Sequence, residues 1–199
     1  MSTNLNSQGA VERRAFVSQL IAATPDALII SGLGSPSYDV FAAGDRDHNF
    51  YLWGAMGGAA GMGLGLALAQ PERSVLVITG DGEQLMGVGT LGTIGAKRPS
   101  NLTIVVLDNG HFGETGMQRS HTSLGTDLVA VARGFGVDDA FSIRETSQAA
   151  EVAERVRARR GVTFVQAFIR PDEPPRALPP RDGVHVKNRF RAALGLQTF

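Results

Sequence analysis

Asp81 and Asn109 stand 28 positions apart, each at the end of an apolar run: SVLVITG at 74–80 and NLTIVVLDN at 101–109. Asp81 lies between Gly80 and Gly82, and Asn109 between Asp108 and Gly110. Runs that are apolar throughout belong to strands buried on both faces of a sheet. If the two strands are neighbours, both side chains emerge at the carboxyl edge, where open α/β sheets bind their ligands. A carboxylate, an amide oxygen and a nearby backbone carbonyl are hard oxygen donors. They suit Mg2+, which takes few protein ligands and completes its shell with water and phosphate oxygens. The stretch 83–97, EQLMGVGTLGTIGAK, reads as a helix starting just after Asp81. Its free N–H groups and positive dipole end favour a phosphate at Gly82 and Glu83. Glycines on both sides of Asp81 let that phosphate come close. The residues thus describe a magnesium–diphosphate site. The same residues would also serve as an Asp N-cap and an ordinary turn at Asn109.

The elements that must position this pair alternate along the chain. Helical spacing covers 11–22, and ALIIS at 27–31 is a short strand. GLGSPSYDVF at 32–41 is a turn leading into a short helix, and 49–53 is a strand. GAMGGAAGMGLGLALA at 54–69 reads as a helix of small residues, followed by strand 74–80, helix 83–97 and strand 101–109. A Gly-rich polar loop at 110–123 is long enough to carry function. Helix 127–134, strand 140–143, helix 146–159 and strand 162–169 follow. A Pro-rich tail at 170–183 leads to a terminal helix at 184–194. This alternation predicts an α/β fold, a doubly wound parallel sheet with helices on both faces, as one domain over 1–199.

Composition excludes several classes. Nineteen basic residues balance nineteen acidic ones, which leaves no electrostatic case for nucleic acid or an anionic membrane. The run ERVRARR at 154–160 reads as the solvated face of a helix. Cysteine is absent, so disulfides, thiolate metal sites and cysteine-held iron–sulfur clusters are excluded. The N-terminus has no signal-peptide pattern, and the most apolar stretch, 55–69, is too short to cross a bilayer, so a cytoplasmic protein is expected. The 25 glycines, many of them between 54 and 116, mark close backbone approach.

Gly80-Asp81-Gly82 followed by Asp108-Asn109-Gly110 resembles the signature of thiamine-diphosphate-dependent enzymes. WGAMGGAAGMGLGLALA is similar to the segment upstream of that signature in the decarboxylase branch, and SGLGSPSYDVF to an earlier diphosphate loop. DNGHFGETGMQRSHT resembles the loop after the metal-binding asparagine. From about Ala27 onward the chain is similar to sulfopyruvate and phosphonopyruvate decarboxylases within that family. The resemblance implies that Asp81, the Asn109 side chain and the His111 carbonyl hold Mg2+. It implies that Gly82 and Glu83 donate N–H groups to the diphosphate of thiamine diphosphate, with Gly34 and Ser35 on its other side. It gives Gly54 a carbonyl bond to the aminopyrimidine, and makes Met56 the apolar wedge that bends the cofactor. Trp53, next to Gly54, is then expected within reach of the cofactor.

The family's activating glutamate lies on a pyrimidine-binding domain for which this chain has no matching segment. The resemblance therefore implies the β subunit of a heteromeric, magnesium-dependent 2-oxo acid decarboxylase. A separate pyrimidine-binding α subunit would supply the glutamate, facing helix 54–69 and loop 110–123. A carboligase similar to acetolactate synthase and a non-catalytic cofactor-binding regulatory subunit remain alternatives. His121 and Glu114 are the candidate catalytic side chains on the loop, against a purely structural histidine and a solvated carboxylate. Some residues depart from the pattern of the relatives. Tyr38 stands where they have a basic residue, Ala55 and Gly58 where they have Ser and His, and GMQRSHT replaces Gly-Gly-Gln-Pro-Thr. The cofactor is thus better specified than the substrate, for which Arg119 is a candidate cation should its tail be a phosphonate or sulfonate.

Overall fold

The structure, a computed structural model, describes residues 11–52 and 54–198. The chain runs α1 (Arg13–Ala23), β1 (Leu28–Ser31), α2 (Ser35–Ala42), β2 (Asn49–Tyr51), α3 (Ala59–Ala69) and β3 (Val75–Gly80). It continues through α4 (Asp81–Met86), α5 (Thr90–Lys97), β4 (Leu102–Asp108), β5 (His111–Phe112), β6 (Gln118–Arg119) and α6 (Leu128–Gly134). It finishes with β7 (Asp139–Ile143), α7 (Ala149–Ala158), β8 (Thr163–Phe168) and α8 (Gly183–Ala193). Six strands form one parallel sheet in the order β2-β1-β3-β4-β8-β7.

Side chains alternate across this sheet, so its apolar strands feed two cores. On one face Ile29, Leu76, Ile78, Val105, Leu107 and Val165 pack against α1, α2 and α7. On the other, Leu28, Ile30, Val77, Ile104, Val106 and Phe164 pack against α3, α5, α6 and α8. β4 is buried at all seven positions, which is why it reads as an unbroken apolar run. The doubly wound arrangement expected from the sequence is the one found.

α3 approaches the sheet through glycine. A methyl at Gly63 would overlap the Val77 side chain. Gly63→Val is expected to destabilise the fold by about 1–3 kcal/mol through overpacking. A lower urea midpoint at unchanged slope checks this.

Three expectations change in detail. Helix 54–69 begins only at Ala59, and 54–58 is a loop in which Gly57 takes φ +85°. Helix 83–97 is two helices, α4 and α5, separated at 87–89. The cause is a backbone contact: the Gly57 carbonyl occupies the space a side chain at Gly87 would need. With glycines at both 87 and 89, helix propensity does not resist the break. Loop 110–123 carries a small antiparallel ribbon, β5 paired with β6.

Burial also concerns charge. Arg13 and Arg14 of α1 reach Asp39 of α2, with Nε to carboxylate distances of 3.2 and 3.3 Å. Asp39 is fully buried and Arg13 nearly so. The tail 170–182 has no helix or strand and leads into α8, capped by Asp182. Among the described residues no helix is long and apolar enough to cross a membrane.

Candidate active site

The strand order reverses between β1 and β3: β2 lies to one side of β1, and β3 and β4 to the other. Such a switch point opens a crevice beyond the carboxyl ends of the strands. Residues 32–34 leave β1 there, and Asp81 leaves β3. Gly80 pairs in register with Leu107, so Asp81 stands level with Asp108 and one position short of Asn109.

A cavity of about 280 Å3 fills this crevice. Its lining includes Ser35, Met56, Asp81, Gly82, Glu83, Asn109, His111 and Glu114, which are eight of the site residues expected from the sequence. Gly34 lies just behind it. It takes φ +72° as the N-cap of α2, and a methyl there would come 2.7 Å from Glu114 Cγ. Gly54 is exposed, and a methyl there would meet nothing within 4 Å. His121 is exposed and is not part of the lining; it stands at the start of the 122–124 turn, and its carbonyl accepts the N–H groups of Leu124 and Thr126. Arg119 is exposed and bonds to Ser123 rather than reaching the cavity. Trp53 lies outside the described residues.

Asp81 is buried, and the hydroxyls of Ser120 and Thr122 both donate to its Oδ2. The single Thr122 proton is shared with Asp108 Oδ1, the nearer acceptor at 2.8 Å, and Gln166 Nε2 donates to Asp108 Oδ2 at 2.7 Å. Burial and the Asp108 carboxylate push the Asp81 carboxyl up to about 7, against the pull of the two hydroxyls. A buried carboxylate held next to another carboxylate is electrostatically short of positive charge. That shortage is an observation of this fold, and a divalent cation fits it. Asn109 Oδ1 accepts the His111 N–H at 2.9 Å and keeps a lone pair for another partner. The His111 ring donates through Nδ1 to the Asn109 carbonyl at 2.7 Å, which fixes its tautomer. Among the described residues no three His, Asp or Glu side chains cluster to hold a metal. A cation here would lean on amide and backbone oxygens, as Mg2+ accepts.

Around the pair the cavity is shaped by close approach. The Phe112 ring lies over Gly82 and fills the space of a side chain there. Met56 lines the cavity from the 54–58 loop. Glu114 pairs with Arg176 of the tail at 3.5 Å and also bonds to Tyr38, whose hydroxyl burial and Glu114 push up. A second cavity of about 250 Å3 continues outward between Arg13, Tyr38, Glu114 and tail residues 172–176.

Several residues of this site carry no signal in the sequence reading. Ser120 and Thr122 act on a carboxylate 39 and 41 positions away, and nothing local marks them. Arg13 lines both cavities from the start of α1. Asp108 had a signal, since it is a charged residue closing a strand buried throughout. Glu83 was expected only as a backbone donor, yet its side chain is buried and accepts the Leu33 N–H at 2.8 Å and the Ala59 N–H at 3.3 Å.

Comparison with known proteins agrees with this geometry. Residues 37–167 match the thiamine pyrophosphate enzyme family in its C-terminal TPP binding domain. The chain is 46% identical over 111 residues to the sulfopyruvate decarboxylase subunit beta of Methanocaldococcus jannaschii, covering 56% of this chain and 58% of that one. It is 39% identical over 186 residues to the phosphonopyruvate decarboxylase of Streptomyces viridochromogenes, covering 90% of this chain and 45% of that one. The matches thus span roughly half the length of these curated relatives. The fold is similar to that of a thiamine diphosphate-dependent 4-hydroxybenzoylformate decarboxylase from Rhodococcus jostii RHA1, with a TM-score of 0.67 at 21% identity, over 83% of this chain and 34% of that one. The chain belongs to the thiamine pyrophosphate enzymes, and what it contributes is their C-terminal, cofactor-binding domain.

Proposed function

We propose that this chain is the diphosphate-binding β subunit of a heteromeric 2-oxo acid decarboxylase that depends on thiamine diphosphate and Mg2+. The observation that carries the reading is the convergence of Asp81, Asn109, Ser35, Gly82 and Met56 on one cavity at the switch point of the sheet. Bound thiamine diphosphate supplies the electron sink for loss of CO2 from a 2-oxo acid. The chain's own residues bind and orient it. Asp81, Asn109 and the His111 carbonyl would hold the cation. The N–H groups of Gly82 and Glu83, with Gly34 and Ser35 opposite, would hold the diphosphate. Gly54 would offer its carbonyl to the pyrimidine ring, and Met56 would set the bend of the cofactor. Glu114 stands on the cavity wall as a candidate proton-transfer group, held in place by Arg176 and Tyr38. His121 is assigned no cavity contact within this chain.

The partner in this reading is a pyrimidine-binding α subunit that would supply the activating glutamate. The name of the Methanocaldococcus relative, a subunit beta, supports the same reading. Co-expression with a pyrimidine-domain subunit, followed by assay of CO2 release from pyruvate, sulfopyruvate and phosphonopyruvate, tests it. Release is expected only with both subunits, thiamine diphosphate and Mg2+ present. A complex that binds the cofactor but releases no CO2 from any of the three would end the decarboxylase reading. An acetolactate product would move it to carboligation.

A further inference from the structure

The Glu83 carboxylate is buried against the cavity, in the first turn of α4. Its Oε2 accepts the Leu33 N–H at 2.8 Å, from the loop that leads to Gly34 and α2. Its Oε1 accepts the Ala59 N–H at 3.3 Å, at the first residue of α3. The Gly57 N–H and the buried Thr79 hydroxyl also face it. α3 has no side-chain cap of its own at Gly58, and neither has α2 at Gly34. A carboxylate from a third segment therefore satisfies free N–H groups at the entrances to both helices. The fit is close on the other side as well, since a methyl at Gly32 would overlap Oε2.

These two entrances are the loops on either flank of the cavity. One carries Ser35 and the other carries Met56. We propose that Glu83 is a positioning residue whose buried carboxylate ties both loops to α4. It thereby sets the diphosphate end of the site and the pyrimidine end at a fixed separation. This rests on the cofactor reading above. On that reading the 32–35 loop would meet phosphate and the 54–59 loop the pyrimidine. Occupation of one end is then felt at the other through Glu83.

Hydrogen exchange, followed by mass spectrometry on the cofactor-free chain, tests the tie without any catalysis. Glu83→Gln puts an NH2 donor where an acceptor oxygen stood, so one N–H loses its partner. Gly32→Ala displaces the carboxylate while leaving Glu83 intact. Both variants are expected to exchange about 10-fold faster in peptides spanning 32–34 and 57–59, with β4 and β8 unchanged. Unchanged loops in both variants would overturn the proposal. So would a rise spread evenly over loops and core strands, because that describes general stability and not positioning. The second arm adds Mg2+ and inorganic pyrophosphate, which can fill only the diphosphate end. In the wild type, protection at 32–34 and 81–83 should be accompanied by protection at 57–59. In Glu83→Gln at saturating pyrophosphate, protection should stop at the diphosphate end. Equal protection at 57–59 in both proteins would overturn the coupling. No protection anywhere in the wild type would count against the diphosphate site itself, and the cofactor-free comparison would still decide the tie.

Discussion

Asp81→Ala is expected to bind thiamine diphosphate with Mg2+ about 100-fold more weakly than the unaltered chain, a loss of about 2.7 kcal/mol, if Asp81 ligates the metal as proposed. Groups that merely orient metal ligands already cost about 10–100-fold when removed, so a direct carboxylate ligand belongs at the upper end or beyond. Titration calorimetry with and without Mg2+ measures it. Equal affinities for the two proteins, or equal affinities with and without the metal, would remove Asp81 from the site. The same carboxyl gives a pH signature. Burial first, and Asp108 second, hold it up to about 7 in the folded chain. An ordinary Asp titrates at about 3.9 once unfolded. The folded state therefore holds this proton more tightly than the unfolded state. Its ionisation costs the cofactor-free fold stability as pH rises from about 4 through about 7. Asp81→Asn removes that cost, so its stability advantage over the wild type grows between pH 5 and pH 8. Urea midpoints at the two pH values check the sign. Metal binding requires the ionised form, so below pH 7 cofactor affinity falls by roughly tenfold per unit and binding releases a proton. An affinity flat between pH 5.5 and pH 8 would contradict this.

Asp39→Ala is the change expected to cost the fold most, about 3–5 kcal/mol. Asp39 is fully buried between α1 and α2 and receives both Arg13 and Arg14. Burial pushes its carboxyl up, while the two guanidinium groups pull it back toward the ionised form. Without it, the nearly buried Arg13 guanidinium is left charged with its carboxylate partner removed. Urea unfolding compares the variant with the wild type. A double variant, Arg13→Met with Asp39→Leu, should recover much of the loss, because the penalty lies in the unpaired charge and not in the missing pair. A single variant within about 0.5 kcal/mol of the wild type would show that Asp39 is not paired in solution.

The parts of this site legible in the sequence are those marked by a local pattern or carried by the family resemblance. The apolar runs of β3 and β4 announce a buried parallel sheet, and their ends place Asp81 and Asn109 at its carboxyl edge. The cavity collects both, together with Ser35, Met56 and Glu114. What was not legible depends on contacts across the chain. A 54–69 helix and an 83–97 helix are each plausible alone, and the backbone contact of Gly57 with Gly87 shortens one and divides the other. Ser120 and Thr122 sit in a polar loop with nothing to mark them until the loop folds back over Asp81. The glycine at 82 suggested room for phosphate, while the structure also uses it to seat Phe112. His121 had the right chemistry in the right loop and lies on the outer side of it.

The strand order has a consequence for the chain while it is being made. β8 lies between β4 and β7, and Thr103 of β4 pairs with Thr163 of β8, 60 positions later. β7 is synthesised before β8 and, among the described residues, has no other neighbour in the sheet, so it waits for β8. Until β8 leaves the ribosome, the four strands β2-β1-β3-β4 end in LTIVVLD, a seven-residue edge without proline and with one charge. Such an edge is a template for another chain. The last strand to emerge is thus the one that covers the β4 edge, and the shorter β7, DAFSI, borders the finished sheet. Ribosomal stalling or truncation before residue 163 would release a species inclined to aggregate rather than one merely lacking a strand.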